Sequence, residues 1–515
     1  MAFLRSSEVE RVINARGIRA MEKILKELSE SDAKAAQNAL ETAGKKRFFH
    51  WELEFPEVFF GPRQGMRQVI ERKPDAGFDA VIGNPPYDVL ANEELGYYAV
   101  SQDLTFYESA PLYEPAIRGK KNLYKLFICR GVSLVNGNGA FSFIVPMPLL
   151  GDDQAAGVRK LLLEKTGLSA VEAFPQKDDP SQRVFPEAKL STTIFVTRSS
   201  PGGQRFALRT HPGHSVVTSS PKFELSPSEV LAFDPENAAI PSCTQKDWDI
   251  VVQVVNCPSI RRMTEVAVSY QGEVNETVER EKGTLTAKAD APVVLRGSNI
   301  CLYAVREASQ GEEVRLNVSK FLKGKAKDAK AFAYKCNRVG FQRSSPQNNF
   351  RRIIAAPIGP GNFCFDTVSY VTEESTELDV GLLLALLNSK FMDWYFRLGS
   401  TNSKVNEYQF NSLPVPTIHG RGDSQQWRAL LKARRWAELA GLLRGMCNEA
   451  GVMPEPVAEA LAEMAKRVLQ SRSERSHLAP EAQPIQDAID TVLFRCYGLS
   501  DEDARYIEQR LREML

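Results

Sequence analysis

"FDAVIGNPPYDVL", residues 78–90, is the stretch on which the fold turns. Phe78, Ala80, Val81 and Ile82 make an apolar run of strand length. Asn84-Pro85-Pro86 then ends any ladder, because proline has no N–H and holds the residue before it out of the helical region. The stretch therefore reads as a short buried strand that runs into a rigid loop, Asn84 to Tyr87. In open α/β sheets, ligands bind outside the carboxyl ends of the strands, which is where this loop would lie.

Working outward, the flanking segments alternate in type. "NLYKLFICRGVSLV" (122–135) carries Leu123, Leu126, Phe127 and Leu134 at helical spacing. "GAFSFIVP" (139–146) reads as a strand, "VRKLLLEK" as a helix, "SAVEAF" as a strand and "STTIFVT" as another. That alternation predicts an α/β sheet. Upstream, residues 7–43 read as helix, and "RFFHWELEFPEVFF" reads as aromatic and strand-like up to Pro56. Residues 199–245 are rich in Ser, Pro and Gly and read as a connecting region. The block 261–416 is turn-rich and closes on the helix "DVGLLLALLNSKFMDWYFRLG". "HGRGDSQQ" reads as a linker, and about residues 427–515 as helices.

Composition narrows the classes. The 515 residues exceed one ordinary core, so two to four domains are expected. The net charge of +1 gives no global pull toward nucleic acid, so any such contact must come from a local patch. No apolar run is long enough to span a bilayer, and "MAFLRSSEVERV" lacks a signal-peptide core, so no membrane partner and a cytoplasmic, prokaryotic setting are expected. The eight cysteines are scattered with no C-x-x-C, and read as reduced thiols. The five histidines lack ligand spacing, His211 and His214 included, so no metal site is expected.

An asparagine between a strand and two prolines has a specific chemical use. The exocyclic amine of adenine is a poor nucleophile because its lone pair is delocalised into the ring. Two acceptors aimed at its hydrogens localise that lone pair. The Asn84 side-chain oxygen and the Pro85 carbonyl are the candidate acceptors, Pro86 the lock, and Tyr87 a stacking face for the base. The competing reading is a rigid turn that contains Asn and Tyr.

With the segments around it, the loop resembles the gamma-class adenine-specific DNA methyltransferases of restriction-modification and phage-defence systems, C-terminal part, with a TaqI-like specificity domain. "FHWELEFPEVF" followed by "GFDAVIGNPPY" resembles the approach to the catalytic loop of that family, and "KNLYKLFICRGVSLV" and "GAFSFIVP" its next helix and strand. "RVFPEAKLSTTIFVTR" resembles the segment whose phenylalanine stacks on the flipped base, which places that role on Phe185. "QGEVNETV", "VLRGSNI", "RRIIAAPIGPGNFCFDTVSYV" and "LLALLNSKFMDWYFRLGSTNSKVNEYQFNSLPVP" resemble a target-recognition domain.

The resemblance implies a partial Rossmann-like methyltransferase sheet, then a mixed α/β target-recognition domain, then a helical C-terminal tail. The boundaries are a helical segment 1–47, a partial catalytic domain 48–200, a connecting region 201–260, a recognition domain 261–416 and a helical domain 417–515. It implies methyl transfer from S-adenosylmethionine to adenine in a specific site on double-stranded DNA. The glycine-rich turn that holds this cofactor in the family is missing before Asn84, and "NGNGAF" and "IGPGNF" are weak matches. Trp51 lies near the family's third cofactor-contacting segment. A partner, the N-terminal methyltransferase subunit, or a missing N-terminal lobe of a longer form is thus expected to supply most of the cofactor site, and nuclease or other defence subunits can accompany it. The alternative is a non-catalytic DNA-recognition subunit of a defence complex. The DNA-binding candidates are Arg296, Lys320, Lys323, Lys325, Lys327, Lys330, Arg343, Arg351 and Arg352, with a solvated loop as the competing reading of the lysine run.

Overall fold

The structure is a computed structural model that describes residues 49–90, 100–198, 204–306, 313–327, 329–346, 349–400, 403–420, 425–470 and 478–514, with isolated positions before 49. The helix expected over 7–43 lies outside the described residues apart from those positions. Contacts divide the chain into two units, residues 1–143 with 197–200, and residues 144–196 with 201–515. Among the described residues, no helix is long and apolar enough to cross a membrane.

In the first unit, Phe78–Gly83 is a strand, as its apolar run predicts. It pairs in parallel with Val135–Pro146, in the register Ala80 to Ala140, Val81 to Phe141, Ile82 to Ser142 and Gly83 to Phe143. Helix Leu123–Leu134 leads directly into that second strand. Gly131 lets the helix lie close on it, since a Cβ there would stand 2.5 Å from the Phe141 ring. The aromatic stretch before the strand differs from expectation. It forms two short helices, Trp51–Glu54 and Pro56–Phe59, and then a hairpin, Phe60–Arg63 with Met66–Arg72. Pro56 is the reason: its fixed φ and missing N–H suit the first position of a helix. The rings of Trp51, Phe55 and Phe59 meet Phe78 edge-on at 5.5, 5.4 and 5.5 Å. Phe78–Gly83 is also less buried than expected. Ala80 is exposed, and Ile82 is 83% exposed.

In the second unit, Gly167–Phe174 lies beside Thr192–Arg198 on one side and pairs in parallel with Phe206–Thr210 on the other. Phe206–Thr210 pairs antiparallel with Lys222–Leu225. Residues 201–260 are therefore more than a connecting region: they carry two strands of the sheet, with Phe206, Leu208, Phe223 and Leu225 buried. The Ser, Pro and Gly of this segment fall mostly in the turns between strands, and they mask runs of only four or five residues. Arg159 is buried and ties this region together, donating to the carbonyls of Leu149 at 2.8 Å, Asp152 at 2.7 Å and Asn237 at 2.7 Å.

Further along, Ala267–Gln271, Val368–Thr376, Arg338–Gln342 and Ala355–Ile358 form a four-stranded antiparallel sheet in that order. The expected long helix over 379–399 is two helices, Val380–Leu387 and Lys390–Gly399. Between them, the Asn388 amide bonds both the N–H and the C=O of Ala355, each at 2.9 Å, and Ser389 caps the second helix.

The C-terminal tail is helical, with Gln425–Lys432, Trp436–Met446, Glu455–Gln470, Gln483–Cys496 and Asp501–Glu513. It packs on the helices of 380–399. Lys390 is ion-paired with Glu508 at 2.6 Å and Asp487 at 3.3 Å. Phe391 stacks on Tyr497 with ring centres 3.7 Å apart. Gly381 touches the Ala462 carbonyl so closely that a Cβ would stand 2.6 Å from it. Gly381→Ala is expected to destabilise the chain by about 1–3 kcal/mol through this overpacking, read as a lower midpoint in denaturant unfolding. An unchanged midpoint would mean that the helices part without cost.

Candidate functional site

The loop Asn84–Tyr87 leaves the carboxyl end of Phe78–Gly83. Asn84 and Pro86 are exposed, Pro85 is buried and Tyr87 is half-buried. The far end of the loop is pinned to the start of helix Leu123–Leu134: Leu123 N–H donates to the Asp88 carbonyl at 2.8 Å, and Leu90 N–H to the Lys121 carbonyl at 2.9 Å. A strand on one side and these bonds on the other hold the loop, so Asn84 is presented to solvent on a fixed backbone. Burial pushes the Tyr87 phenol up to about 12.

Phe185 lies in the second unit, half-buried in the loop between Gly167–Phe174 and Thr192–Arg198. Arg183 organises that loop by donating to the carbonyls of Lys177 at 2.5 Å, Pro186 at 3.0 Å and Asp178 at 3.3 Å. His211 is engaged in the same unit as a core side chain. Its Nε2 lies 2.7 Å from Glu172, and its Nδ1 accepts from Val217 N–H at 3.1 Å.

The glycines near the loop do not form a cofactor cradle. Gly139 of "NGNGAF" lies within the strand Val135–Pro146, where a Cβ would strike the Phe78 carbonyl at 2.7 Å. Gly361 of "IGPGNF" sits in a turn at φ +93° and donates its N–H to the Tyr334 carbonyl at 2.7 Å. Gly139 serves close packing and Gly361 a left-handed turn. Trp51 is committed to the aromatic cluster, stacked on Phe55 at 6.0 Å as well as meeting the edge of Phe78. The described residues therefore do not fit S-adenosylmethionine as a complete site.

Large apolar side chains are exposed in the same unit as the loop. In the first unit Leu53 is 74%, Ile70 64% and Phe49 56% exposed, in addition to Ile82. Among the described residues, the strand Phe78–Gly83 has a partner on one edge only.

The basic candidates scatter into four situations. Arg296 is held by Glu276 at 2.7 Å and lies over the Phe365 ring. Lys320 donates to the Lys282 and Gly283 carbonyls, Lys325 rests on the Phe321 ring at 3.3 Å, and Lys323, Lys327 and Lys330 are exposed around them. Arg343 reaches the Asp366 carbonyl at 3.4 Å. Arg351 is 3.7 Å from Asp393, and Arg352 is 1% exposed, so neither belongs to an open surface. Sequence reading missed Lys177, Arg397 and Arg510, which join Arg352 around one cavity. No local pattern links residues so far apart in the chain.

The family match covers the first third of the chain. Residues 10–179 match the family described as Eco57I restriction-modification methylase. The chain is 30% identical over 139 residues to a Type II methyltransferase of Thermus thermophilus, a stretch that covers 26% of this chain and 29% of that protein. Among solved structures, the Type IIL restriction-modification enzyme MmeI in complex with DNA is similar at a TM-score of 0.45 and 11% identity, over 84% of this chain and 57% of that one. The type IIG restriction endonuclease BpuSI is similar at 0.31 and 12%, over 82% and 54%. The chain thus spans less than a third of the curated relative it matches.

Proposed function

We propose that this chain, whose residues 10–179 match the restriction-modification methylases, is the catalytic-loop and target-recognition component of an adenine-specific DNA methyltransferase. The observation that carries the reading is Asn84: an exposed amide at the carboxyl end of a parallel strand, on a backbone fixed at both ends of its loop. In the reaction, the Asn84 Oδ1 and the Pro85 carbonyl accept from the two hydrogens of the flipped amine, and Tyr87 offers the base an aromatic face.

The methyl donor is held elsewhere. Because the described residues do not fit the cofactor, a second lobe carrying the glycine-rich turn docks beside Phe78–Gly83, adds a strand to its open edge and covers Ile82 and Leu53. A parallel sheet needs both faces covered, and an open apolar edge is an association hazard. The same lack of a cofactor fit is what favours the second reading, a DNA-recognition subunit whose loop is idle.

Tyr87 separates the two readings. In the assembled enzyme, Tyr87→Ala is expected to slow methylation by about 10- to 100-fold, the worth of one base–aromatic stack, and Tyr87→Phe to stay near wild type. Incorporation of labelled methyl groups into duplex DNA measures both. Equal activity of all three proteins would leave the ring without a role in methyl transfer.

A further inference from the structure

Residues 320–335 carry six lysines, Lys320, Lys323, Lys325, Lys327, Lys330 and Lys335, against one carboxylate, Asp328, in a chain whose net charge is +1. The positive charge is thus local, and the fold decides how it is displayed. A small core of its own holds this segment down. Phe321 and Ala331 are buried with Phe363 and Phe365, and Leu322, Ala329 and Phe332 pack against that cluster. The backbone between these anchors runs in tight turns: Lys325 N–H donates to the Leu322 carbonyl at 3.1 Å, and Ala329 N–H to the Ala326 carbonyl at 3.1 Å. Gly324, at φ +78° with open space around it, turns the chain between Lys323 and Lys325. With the apolar side chains committed to the core, all six lysines are exposed.

Three of the six have neutral partners, which leave their charge unbalanced. Lys320 donates to the Lys282 and Gly283 carbonyls at 2.8 and 3.1 Å, Lys325 lies over the Phe321 ring at 3.3 Å, and Lys335 lies over the Phe332 ring at 5.0 Å. Lys330 stands 3.5 Å from the Gln271 carbonyl, the long limit of a hydrogen bond. Lys323 and Lys327 have no side-chain partner among the described residues. The two carboxylates that act on Lys325 are engaged elsewhere. Glu279 bonds Lys282 at 3.2 Å and Thr284 at 2.7 Å, and Glu273 is buried against Arg338 at 3.2 Å. Partial burial lowers the Lys325 ammonium; Glu279 opposes this, and Lys282 and Lys330 add to it, so these three cations share one neighbourhood. An exposed strip of ammonium groups without a fork geometry suits a run of spaced anions, each contact releasing a counterion.

We propose that Lys323, Lys327 and Lys330 grip the phosphate backbone of duplex DNA and hold the target without reading its sequence. The inference rests on the DNA reading above and deepens it. Lys320, Lys325 and Lys335 shape the strip through their carbonyl and ring contacts, and the three lysines between them carry the affinity.

The test uses the full chain and a fluorescent DNA duplex, with anisotropy titrations at several salt concentrations. Lys323→Ala, Lys327→Ala and Lys330→Ala are each expected to reduce the slope of log affinity against log salt by about one, equally for any sequence, and the triple variant by about three. All three side chains are exposed, so the thermal midpoint should not move. Lys327→Arg keeps the charge and should keep the slope. Lys432→Ala, an exposed change on the helix Gln425–Lys432, should leave the slope unchanged. Wild-type slopes in the single and triple variants would overturn the proposal while DNA binding itself stands. A changed sequence preference at an unchanged slope would make the lysines base readers and overturn it too. Failure of the wild-type chain to bind any duplex at low salt would instead remove the DNA reading. A parallel titration uses an RNA duplex of the same sequence. A slope lost on RNA alone would identify RNA as the ligand and overturn the DNA assignment.

Discussion

Asn84→Ala is expected to lower methyl transfer by the assembled enzyme by about 100- to 1,000-fold while leaving duplex affinity within about twofold. The magnitude is that of removing one preorganised hydrogen-bond partner from a reacting group, about 2.7–4 kcal/mol. The selectivity follows from where the residue acts. Asn84 is exposed on a loop whose backbone is fixed by the strand Phe78–Gly83 and by the bonds of Asp88 and Leu90, so the substitution removes an acceptor without loosening the fold. Affinity for DNA comes mainly from phosphate contacts, which Asn84 does not make. An interaction realised with the amine in the transition state appears in the turnover rate and not in binding. Single-turnover methylation and anisotropy on the same preparations separate the two quantities. A variant with near-normal methylation would end the catalytic assignment of the loop and leave the recognition-subunit reading.

The purified chain is expected to show no micromolar binding of S-adenosylmethionine and no methylation, and to gain both when the cofactor-binding lobe is added. The lobe is expected to dock on the strand edge at 78–83, because exposed Ile82, Leu53 and Ile70 lie in that unit and the strand has a partner on one side only among the described residues. Ile82→Asp serves as the control. It places a charge where the lobe would bury a side chain and should abolish complementation, yet cost little folding stability because the residue is 83% exposed. Calorimetry on the chain alone and size-exclusion chromatography of the mixture read the two effects. Micromolar cofactor binding by this polypeptide unaided would show that it holds a complete site, and full complementation by Ile82→Asp would move the docking surface elsewhere.

Local chemistry is enough to make the strand at 78–83 and its proline-locked loop legible in the sequence. An apolar, β-branched run of this length favours extended backbone, and two prolines leave the following backbone little choice. The helices at 123–134 and 156–165 and the helices of the tail are legible for the same reason, because their apolar spacing is a short-range property. The aromatic stretch up to Pro56 reads as strand when aromatic density is weighed alone, whereas Pro56 at a helix-starting position decides for the helix Pro56–Phe59. The break at Asn388 is marked in the sequence only by the capping residue Ser389, and what holds it is a pair of hydrogen bonds to Ala355, a residue on a strand of the sheet.

What tertiary structure alone decided concerns residues that meet across long separations. By sequence the tail of 425–513 could pack on a partner or on its own chain, and Lys390, Phe391 and Gly381 place it on the helices of 380–399. Arg352 stands among surface cations by sequence, and the fold buries it. Lys177, Arg397 and Arg510 carry no local signal, and the fold sets them around one cavity. Spacing along the chain determines which faces a helix or strand presents. Which distant face it meets, and so which charges are left facing one another, is settled only when the whole core closes.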